Sequence, residues 1–185
     1  YRDQARLVAR LVRGNETPPP STAPDRPISS DRSYLVTGGV GGIGLRVAEW
    51  LAARGAGAIV LNGRWAPDTA AEGMIEALRS AGAKVEVIVA DVTDASAVDG
   101  MLARIDAAMP PLAGVIHSVG VLADALLGNQ DWGRFEKVLA PKVMGAWNLH
   151  RATMDHPLDL FVLFSSAAGV LGNAGQVNHA AANAF

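Results

Sequence analysis

The sequence predicts an α/β fold built on a doubly wound parallel sheet, and two observations indicate it. Short, nearly continuous apolar runs alternate with longer segments that repeat apolar residues at helical spacing. A glycine-rich loop separates the first apolar run from the first helical segment. Parallel strands need helical crossovers and become buried on both faces, so this alternation favours a parallel sheet covered by helices on each side. Right-handed crossovers then give the doubly wound order.

Each element follows from its local pattern. The predicted strands are residues 33–37, 58–61, 84–89, 112–117 and 160–165. The predicted helices are residues 43–54, 69–81, 95–109 and 131–153, with a last helix that starts near Gln176. Pro141 lies inside the longest helix, where its ring removes a backbone donor, so we expect a break or kink at Ala140.

The first 31 residues differ in character from the rest. Residues 1–14 carry apolar side chains at a spacing that fits either a short amphipathic helix or an irregular strand. Residues 15–31 contain five prolines among Ser, Thr and Asp, and this predicts an extended linker. The domain proper is therefore expected at residues 32–185.

Composition excludes several classes of protein. With 185 residues, 50% hydrophobic and 18% charged, the chain has the size and apolar content of one globular domain. The absence of cysteine removes disulfides, thiolate zinc sites and cysteine nucleophiles. A formal charge of −2 argues against binding to a nucleic-acid backbone. No apolar run approaches the roughly 20 residues of a membrane span, so we expect no span and a cytoplasmic location.

The glycine-rich loop is the strongest local signal. It consists of Thr37, Gly38, Gly39, Val40, Gly41, Gly42, Ile43 and Gly44. Glycines allow a backbone to approach a pyrophosphate closely, and the following helix N-terminus supplies free N–H groups and positive dipole charge. In this strand-loop-helix setting the loop predicts a dinucleotide site, although a glycine pattern alone also fits a plain tight turn.

Residues after the second and third strands suggest which dinucleotide binds. Arg64 follows the second strand, where an acidic residue would hold a ribose 2′-hydroxyl. A guanidinium there favours the 2′-phosphate of NADPH, whereas the alternative is a solvated loop arginine. Asp91 and Val92 end the third strand and are candidates for adenine contacts, but Asp91 fits a turn or a helix cap equally well.

Several motifs together carry a family resemblance. They are the glycine loop, Asp91-Val92, the His117-Ser118-Val119-Gly120 turn and the run FSSAAGVLGNAGQVNHAAAN at residues 164–183. With them the chain resembles, over residues 31–185, the ketoreductase domain of modular type I polyketide synthases, a branch of the short-chain dehydrogenase/reductase superfamily. The resemblance implies a Rossmann-like fold and NADPH, with His117 and Ser118 at the cofactor site.

The resemblance also implies where the chain stands in a larger protein. Residues 1–14 resemble a strand that returns from a preceding structural subdomain. The family pattern continues past Phe185, so we expect an incomplete catalytic domain that lacks the later strands and the substrate lid and would not reduce substrate alone. The implied partners are an acyl carrier protein bearing a phosphopantetheine-bound β-ketoacyl chain and other domains of a homodimeric synthase.

The catalytic positions follow residue by residue. The family's serine falls on Ser166, its lysine on Lys142 and its asparagine on Asn183; the last two exchange places relative to ordinary members of the superfamily. The proton donor should be a tyrosine, but His179 stands there. An imidazolium can also donate a proton near neutral pH, and His179 shares a helical face with Asn183 at i, i+4. A weakened or silent site is the alternative.

Further positions bear on stereochemistry and on competing functions. Asp124 keeps the last aspartate of the family's Leu-Asp-Asp motif and Leu171 replaces the tryptophan of the opposite class, so the resemblance implies a substrate-orienting Asp124 and a D-hydroxyl product. His117, His150 and His156 show no metal-ligand spacing, and no metal is expected. The competing hypotheses are a non-reducing structural domain that binds the cofactor and a free-standing reductase of small ketones, against which the proline-rich linker argues.

Overall fold

A computed structural model describes residues 28–185 as a five-stranded parallel sheet in the order β3-β2-β1-β4-β5. The strands are β1 (Ser33–Thr37), β2 (Ala58–Gly63), β3 (Val85–Val89), β4 (Leu112–His117) and β5 (Leu160–Leu163). The helices are α1 (Gly42–Ala53), α2 (Thr69–Ser80), α3 (Ala95–Ala108), α4 (Trp132–Leu139), α5 (Gly145–Ala152), α6 (Ala168–Leu171) and α7 (Val177–Ala184). The predicted doubly wound parallel sheet is confirmed.

The element boundaries agree closely with the sequence pattern. The predicted strands and helices are present, and most differ by one or two residues at an end. Two short elements were not predicted: a single 3₁₀ turn at Leu127–Asn129 and the four-residue helix α6. The expected leading strand, and all but residues 28–31 of the expected linker, lie outside the described residues.

The prediction for Pro141 is refined. The regular α-helix α4 ends at Leu139, directly before Ala140, but the chain continues through a π-helical turn, Ala140–Met144, that joins α4 to α5. The Gly145 N–H donates to the Ala140 carbonyl oxygen, five residues back. This wider turn accommodates a ring that has no N–H to donate, so the chain keeps its helical path.

Two apolar clusters cover the faces of the sheet. On one face α1 and α2 pack against β-strand side chains such as Tyr34 and Leu61, and on the other α3 and α5 pack against Leu35 and Val115. The central strands β1, β2 and β4 are therefore buried throughout. Among residues 28–185, no helix is long and apolar enough to cross a membrane.

The tight packing around β4 yields a stability prediction. A Cβ on Gly114 would lie 2.6 Å from Tyr34 Cδ1 and 2.8 Å from Leu160 Cδ1, so the Gly114→Ala variant overpacks the sheet. We expect its free energy of unfolding to fall by about 1–3 kcal/mol in denaturant titrations. Gly100→Ala is the matched control: its Cβ meets no atom within 4 Å, and helix propensity raises stability by about 1 kcal/mol. Equal stability of the two variants would contradict this packing.

Candidate active site

The candidate site lies where β1 and β4 end side by side. The strand order reverses between these two strands, which is where open α/β sheets bind ligands. The Ser118 N–H and Oγ both donate to the Thr37 carbonyl oxygen, at 2.9 and 2.8 Å. The glycine loop leaves β1 at this point and the next loop leaves β4, so these two bonds hold the two loops together.

Three glycines of the loop are required by close backbone packing. Gly38 has φ +70°, and a Cβ there would lie 3.0 Å from the Ser118 backbone. A Cβ on Gly39 would lie 2.5 Å from the Val36 carbonyl oxygen, and one on Gly44 would lie 2.6 Å from Gly39 Cα. By contrast, a Cβ on Gly42 would meet nothing within 4 Å. The loop is therefore folded tightly on itself and leaves open space beside the start of α1.

The N-terminus of α1 is chemically unlike those of α2, α3 and α4. Those helices are capped by the side chains of Asp68, Asp94 and Asp131, which accept from backbone N–H groups of the first turn. The N-cap of α1 is Gly41, which has no capping side chain, and the first turn contains no acidic residue. The first N–H groups of α1 thus remain available for an anion.

A cleft of about 590 Å³ opens above this helix end. The predicted cofactor residues on its wall are Gly38, Val40, Gly41, Gly42, Ile43, Gly44, Arg64, Asp91, Val92 and Ser118. Thr37, Gly39 and His117 are not on this wall: Thr37 is fully buried, and His117, which is 3% exposed, is on the wall of the second cleft described below. The structure therefore brings most of the predicted cofactor residues to one cleft.

The charged residues of the cleft differ in their partners. The Arg64 side chain is exposed and, within residues 28–185, has no hydrogen bond or ion pair. Asp91 Oδ1 accepts from the Thr93 N–H at 2.9 Å and from Thr93 Oγ1 at 2.8 Å, which closes a turn after β3. The cleft thus offers one unpaired guanidinium and one carboxylate whose second oxygen stays available.

A second cleft of about 620 Å³ lies beside β5, the π-helical turn and α7. Lys142 and Asn183 are on its wall. Lys142 Nζ donates to the Phe164 carbonyl oxygen at 2.9 Å, and burial lowers the pKa of Lys142 below its ordinary value. Ser165 Oγ donates to the Asn183 carbonyl oxygen at 2.8 Å, so the segment after β5 is bonded to α7.

The remaining predicted catalytic residues are divided between these regions. His179 is on the wall of the first cleft, with the glycine loop. Ser166 begins the turn into α6, where its Oγ accepts from the Ala168 N–H at 3.2 Å, and it is on neither cleft wall. Lys142 and Asn183 are thus in the second cleft, His179 is in the first and Ser166 is in neither, so the four predicted catalytic residues do not share one cavity.

Two buried atoms on α7 lack partners among the described residues. They are His179 Nδ1 and Asn183 Oδ1, one helical turn apart. The other end of the Asn183 amide, Nδ2, donates to the His179 carbonyl oxygen at 2.8 Å. Buried polar atoms normally find partners, so this turn of α7 carries two unsatisfied groups among the described residues.

Asp124 is placed away from the first cleft wall but in contact with the start of α7. Its Oδ2 accepts from Gln176 Nε2 at 2.8 Å. The neighbouring Ala125 N–H donates to the Gly175 carbonyl oxygen at 2.9 Å. The loop that follows β4 is thus bonded to the residues just before His179.

Sequence reasoning missed two site residues that are buried asparagines. Asn62 Nδ2 donates to the carbonyl oxygens of Ile88 and Ala90, at 3.1 and 3.0 Å. Asn148 Nδ2 donates to those of Val92 and Thr93, at 3.0 and 3.1 Å. Asn62 ends an apolar strand, and a polar side chain in such a run is the signal that could have indicated it.

The fold and the cleft together define the class of α/β proteins that bind a dinucleotide at the switch point of a parallel sheet. The family model described as KR domain matches residues 32–185. The chain therefore belongs to the KR family, the ketoreductase domains of polyketide synthases.

Individual relatives agree with this membership. The chain is 44% identical over 178 residues to the Mycocerosic acid synthase-like polyketide synthase of Mycobacterium tuberculosis, covering 96% of this chain and 8% of that protein. A solved N-terminal ketoreductase from the macrolactin assembly line is 35% identical with a TM-score of 0.81, covering 85% of this chain and 33% of that one. A solved structure of xylitol dehydrogenase with bound NAD⁺ is 26% identical with a TM-score of 0.75, and the match covers 83% of this chain and 60% of that one. The chain thus spans a small part of the curated relative.

The glycine loop yields a paired prediction. Gly44→Ala places a Cβ against the Gly38 carbonyl group, so the loop must move, and we expect the free energy of unfolding to fall by about 1–3 kcal/mol together with loss of dinucleotide binding. Gly42→Ala meets no protein atom but narrows the open space, so it should keep stability and lose affinity. Denaturant titration and calorimetric binding check both, and a fully stable Gly44→Ala variant would refute the packing.

Proposed function

We propose that this chain carries out the NADPH-dependent reduction of a β-ketoacyl thioester, held on an acyl carrier protein, to the β-hydroxyacyl thioester. We propose further that it acts as one domain of a larger, homodimeric polyketide synthase, in the cytoplasm. One observation carries the proposal: His179, at the proton-donor position, shares a cleft wall with the glycine loop and Arg64. A proton donor and a dinucleotide cradle in one cleft are what carbonyl reduction requires.

The cleft residues fit NADPH. Gly41 and Gly42 leave open space beside the uncapped end of α1, where backbone N–H groups would bind the pyrophosphate. Arg64 would bind the 2′-phosphate and Asp91 the adenine ring. When bound, this cofactor supplies the hydride for the β-carbon.

Other residues would act on the ketone oxygen. Reduction builds negative charge on that oxygen, so donors directed at it stabilise the transition state. The Ser166 hydroxyl would donate a hydrogen bond, and His179 would donate the proton that completes the alcohol. Lys142 would add positive charge nearby, and Asn183 would hold the relay geometry through its bond to the His179 carbonyl oxygen.

Two features support a D-hydroxyl product. Asp124 is bonded to Gln176, three residues before His179, so it can influence how substrate approaches the donor. Leu171 ends α6 at the position where the opposite class would carry tryptophan. These residues support the substrate-orienting assignment of Asp124.

A structural domain that binds cofactor without reducing is the second candidate. The observation in its favour is that His179 Nδ1 is buried without a partner among residues 28–185. An imidazolium carries protons on both nitrogens, and an unpaired buried N–H costs about 1–3 kcal/mol. Such a cost would disfavour the proton-donating form.

Replacement of Arg64 tests the cofactor assignment. Arg64→Gln removes the charge that would meet the 2′-phosphate. Charge-assisted hydrogen bonds contribute about 1.5–3 kcal/mol, so we expect NADPH to bind about 10- to 100-fold more weakly, with NADH binding unchanged. Arg151→Gln, on the exposed end of α5, is the control. Calorimetry measures both, and an equal loss for both cofactors would argue against a 2′-phosphate site.

Replacement of His179 tests the reaction. His179→Phe keeps an aromatic ring but has no proton to give, so the reduction rate should fall at least about 100-fold while NADPH still binds. His179→Tyr should stay active. The assay follows NADPH oxidation with a β-ketoacyl thioester in the intact protein, and a His179→Phe variant as fast as the parent would disprove the donor assignment.

The same assay separates the two candidate functions. If the parent binds NADPH without turnover and His179→Tyr restores reduction, the domain is silent and its defect lies at the donor. If the parent turns over, the reductase function stands.

A further inference from the structure

His117 forms a buried bridge between two parts of the site. Its ring is 3% exposed and lies at the end of β4. Nδ1 is 2.6 Å from Thr37 Oγ1, and Nε2 is 2.9 Å from the Pro141 carbonyl oxygen. A carbonyl oxygen can only accept, so Nε2 carries the proton and Nδ1 accepts from the Thr37 hydroxyl. The bridge therefore uses one defined neutral tautomer of the imidazole.

The bridge closes a ring of bonds around Lys142. The Phe164 N–H donates to the His117 carbonyl oxygen at 3.0 Å. Lys142 Nζ donates to the Phe164 carbonyl oxygen at 2.9 Å, and Lys142 follows Pro141 directly in the chain. The ring thus passes from β4 through the π-helical turn to the end of β5 and back to β4.

The imidazole is also packed against the turn. Gly145 follows the π-helical turn, and a Cβ there would lie 3.3 Å from His117 Cε1 and 2.8 Å from Val92 Cγ2. The helix therefore approaches β4 closely just where it leaves the turn. The Gly145 N–H donates to Ala140 and not to the Pro141 carbonyl oxygen four residues back, and His117 Nε2 offers that oxygen a donor from outside the helix.

We propose that His117 is a positioning residue: its Nε2–H holds the π-helical turn and thereby places the Lys142 ammonium group at the end of β5. The catalytic consequence rests on the proposed function, because it assumes that Lys142 assists reduction. The structural claim, that His117 holds the π-helical turn and places Lys142, does not depend on the proposed function. His117 was predicted to contact cofactor, whereas this bridge assigns it a role through Pro141.

Among the described residues, hydrogen bonds and not ion pairs hold the π-helical turn in place. Elements packed against it carry Arg134, Glu136 and Lys137 on α4, His150 and Arg151 on α5, His117 on β4 and His179 on α7. Within residues 28–185, no carboxylate forms an ion pair with Lys142. Burial, helped by the nearby Lys142 charge, lowers the pKa of His117 to about 4, so the ring is neutral near pH 7 and keeps its Nε2 proton for Pro141.

Two amide variants dissect the bridge in the intact protein. His117→Gln places an amide N–H near the Nε2 position and can still donate to Pro141. His117→Asn keeps an acceptor near the Nδ1 position for Thr37 but is too short to reach Pro141. His156→Asn removes another histidine, one that bonds to Asp106 Oδ1 far from the turn, and controls for loss of an imidazole.

Competitive acetylation of lysines over a pH series, read by mass spectrometry without cofactor or substrate, is the first measurement. In His117→Asn the turn loosens and water reaches the ammonium, so the Lys142 titration midpoint should move upward. His117→Gln and His156→Asn should keep the parent midpoint, and Lys137 labelling serves as the internal standard in each protein. A folded His117→Asn variant with the parent midpoint would overturn the proposal.

The second measurement is reduction kinetics. Misplacement of a catalytic group can lower a rate about 10- to 100-fold. We therefore expect kcat to fall by about that factor in His117→Asn, with little change in KM for NADPH. His117→Gln should recover most of the lost kcat. If His117→Asn does not fold, His117→Leu replaces it, because leucine also has no donor for Pro141; a folded His117→Leu variant with the parent Lys142 titration midpoint overturns the proposal. If the parent itself does not reduce, the acetylation result still decides the positioning role, and only the proposed function fails.

Discussion

The parallel pairing of β1 with β4, closed at its carboxyl end by Ser118 and Thr37, is the constraint on which the site depends. Both donors of Ser118 meet the Thr37 carbonyl oxygen, so the loops that leave the two strands start from one fixed point. Gly38 can pass within 3.0 Å of the Ser118 backbone only because it lacks a side chain. The reversal of strand order thus creates a crevice, and these contacts keep its two walls at a constant separation.

The electrostatic character of the crevice follows from how its helices begin. Three helices of the sheet layers begin with an aspartate that neutralises the helix end, whereas α1 begins with Gly41 and no acidic residue. Because a helix N-terminus carries roughly half a positive charge, an uncapped start next to open space favours a phosphate. Arg64, which has no ion pair within the part of the chain that the structure describes, adds a cation to the same cleft. The capped helices contribute stability, and the uncapped one keeps its donors for a ligand.

The sequence was sufficient for the sheet and for the position of the glycine loop between β1 and α1, because both follow from local periodicity and glycine spacing. It was insufficient where residues that are distant in the sequence determine the local structure. Proline rules predict a break or kink at Ala140, but not a π-helical turn whose Pro141 carbonyl oxygen is bonded to a histidine of β4, because no local window contains that residue. α6 is four residues long and its N-cap residue is Ala167, which has no capping side chain, so it leaves no periodic signal. His117 shows the same limit: the family resemblance implies a cofactor contact for it, while its bonds to Thr37 and Pro141 depend on a tertiary arrangement.

Three buried asparagines explain how irregular loops remain ordered at the carboxyl edge of the sheet. Asn62, Asn148 and Asn178 are 1%, 7% and 0% exposed, and each donates through Nδ2 to two backbone carbonyl oxygens of loops at this edge or of the helix beside it. A buried carbonyl without a partner costs free energy, and loops lack the ladder bonds that satisfy strands. One amide with two N–H groups satisfies two such oxygens at once, which an apolar residue of equal volume could not do. The geometry of the cleft is therefore maintained by polar residues inside the core, and the apolar clusters alone would leave its loops without a defined path.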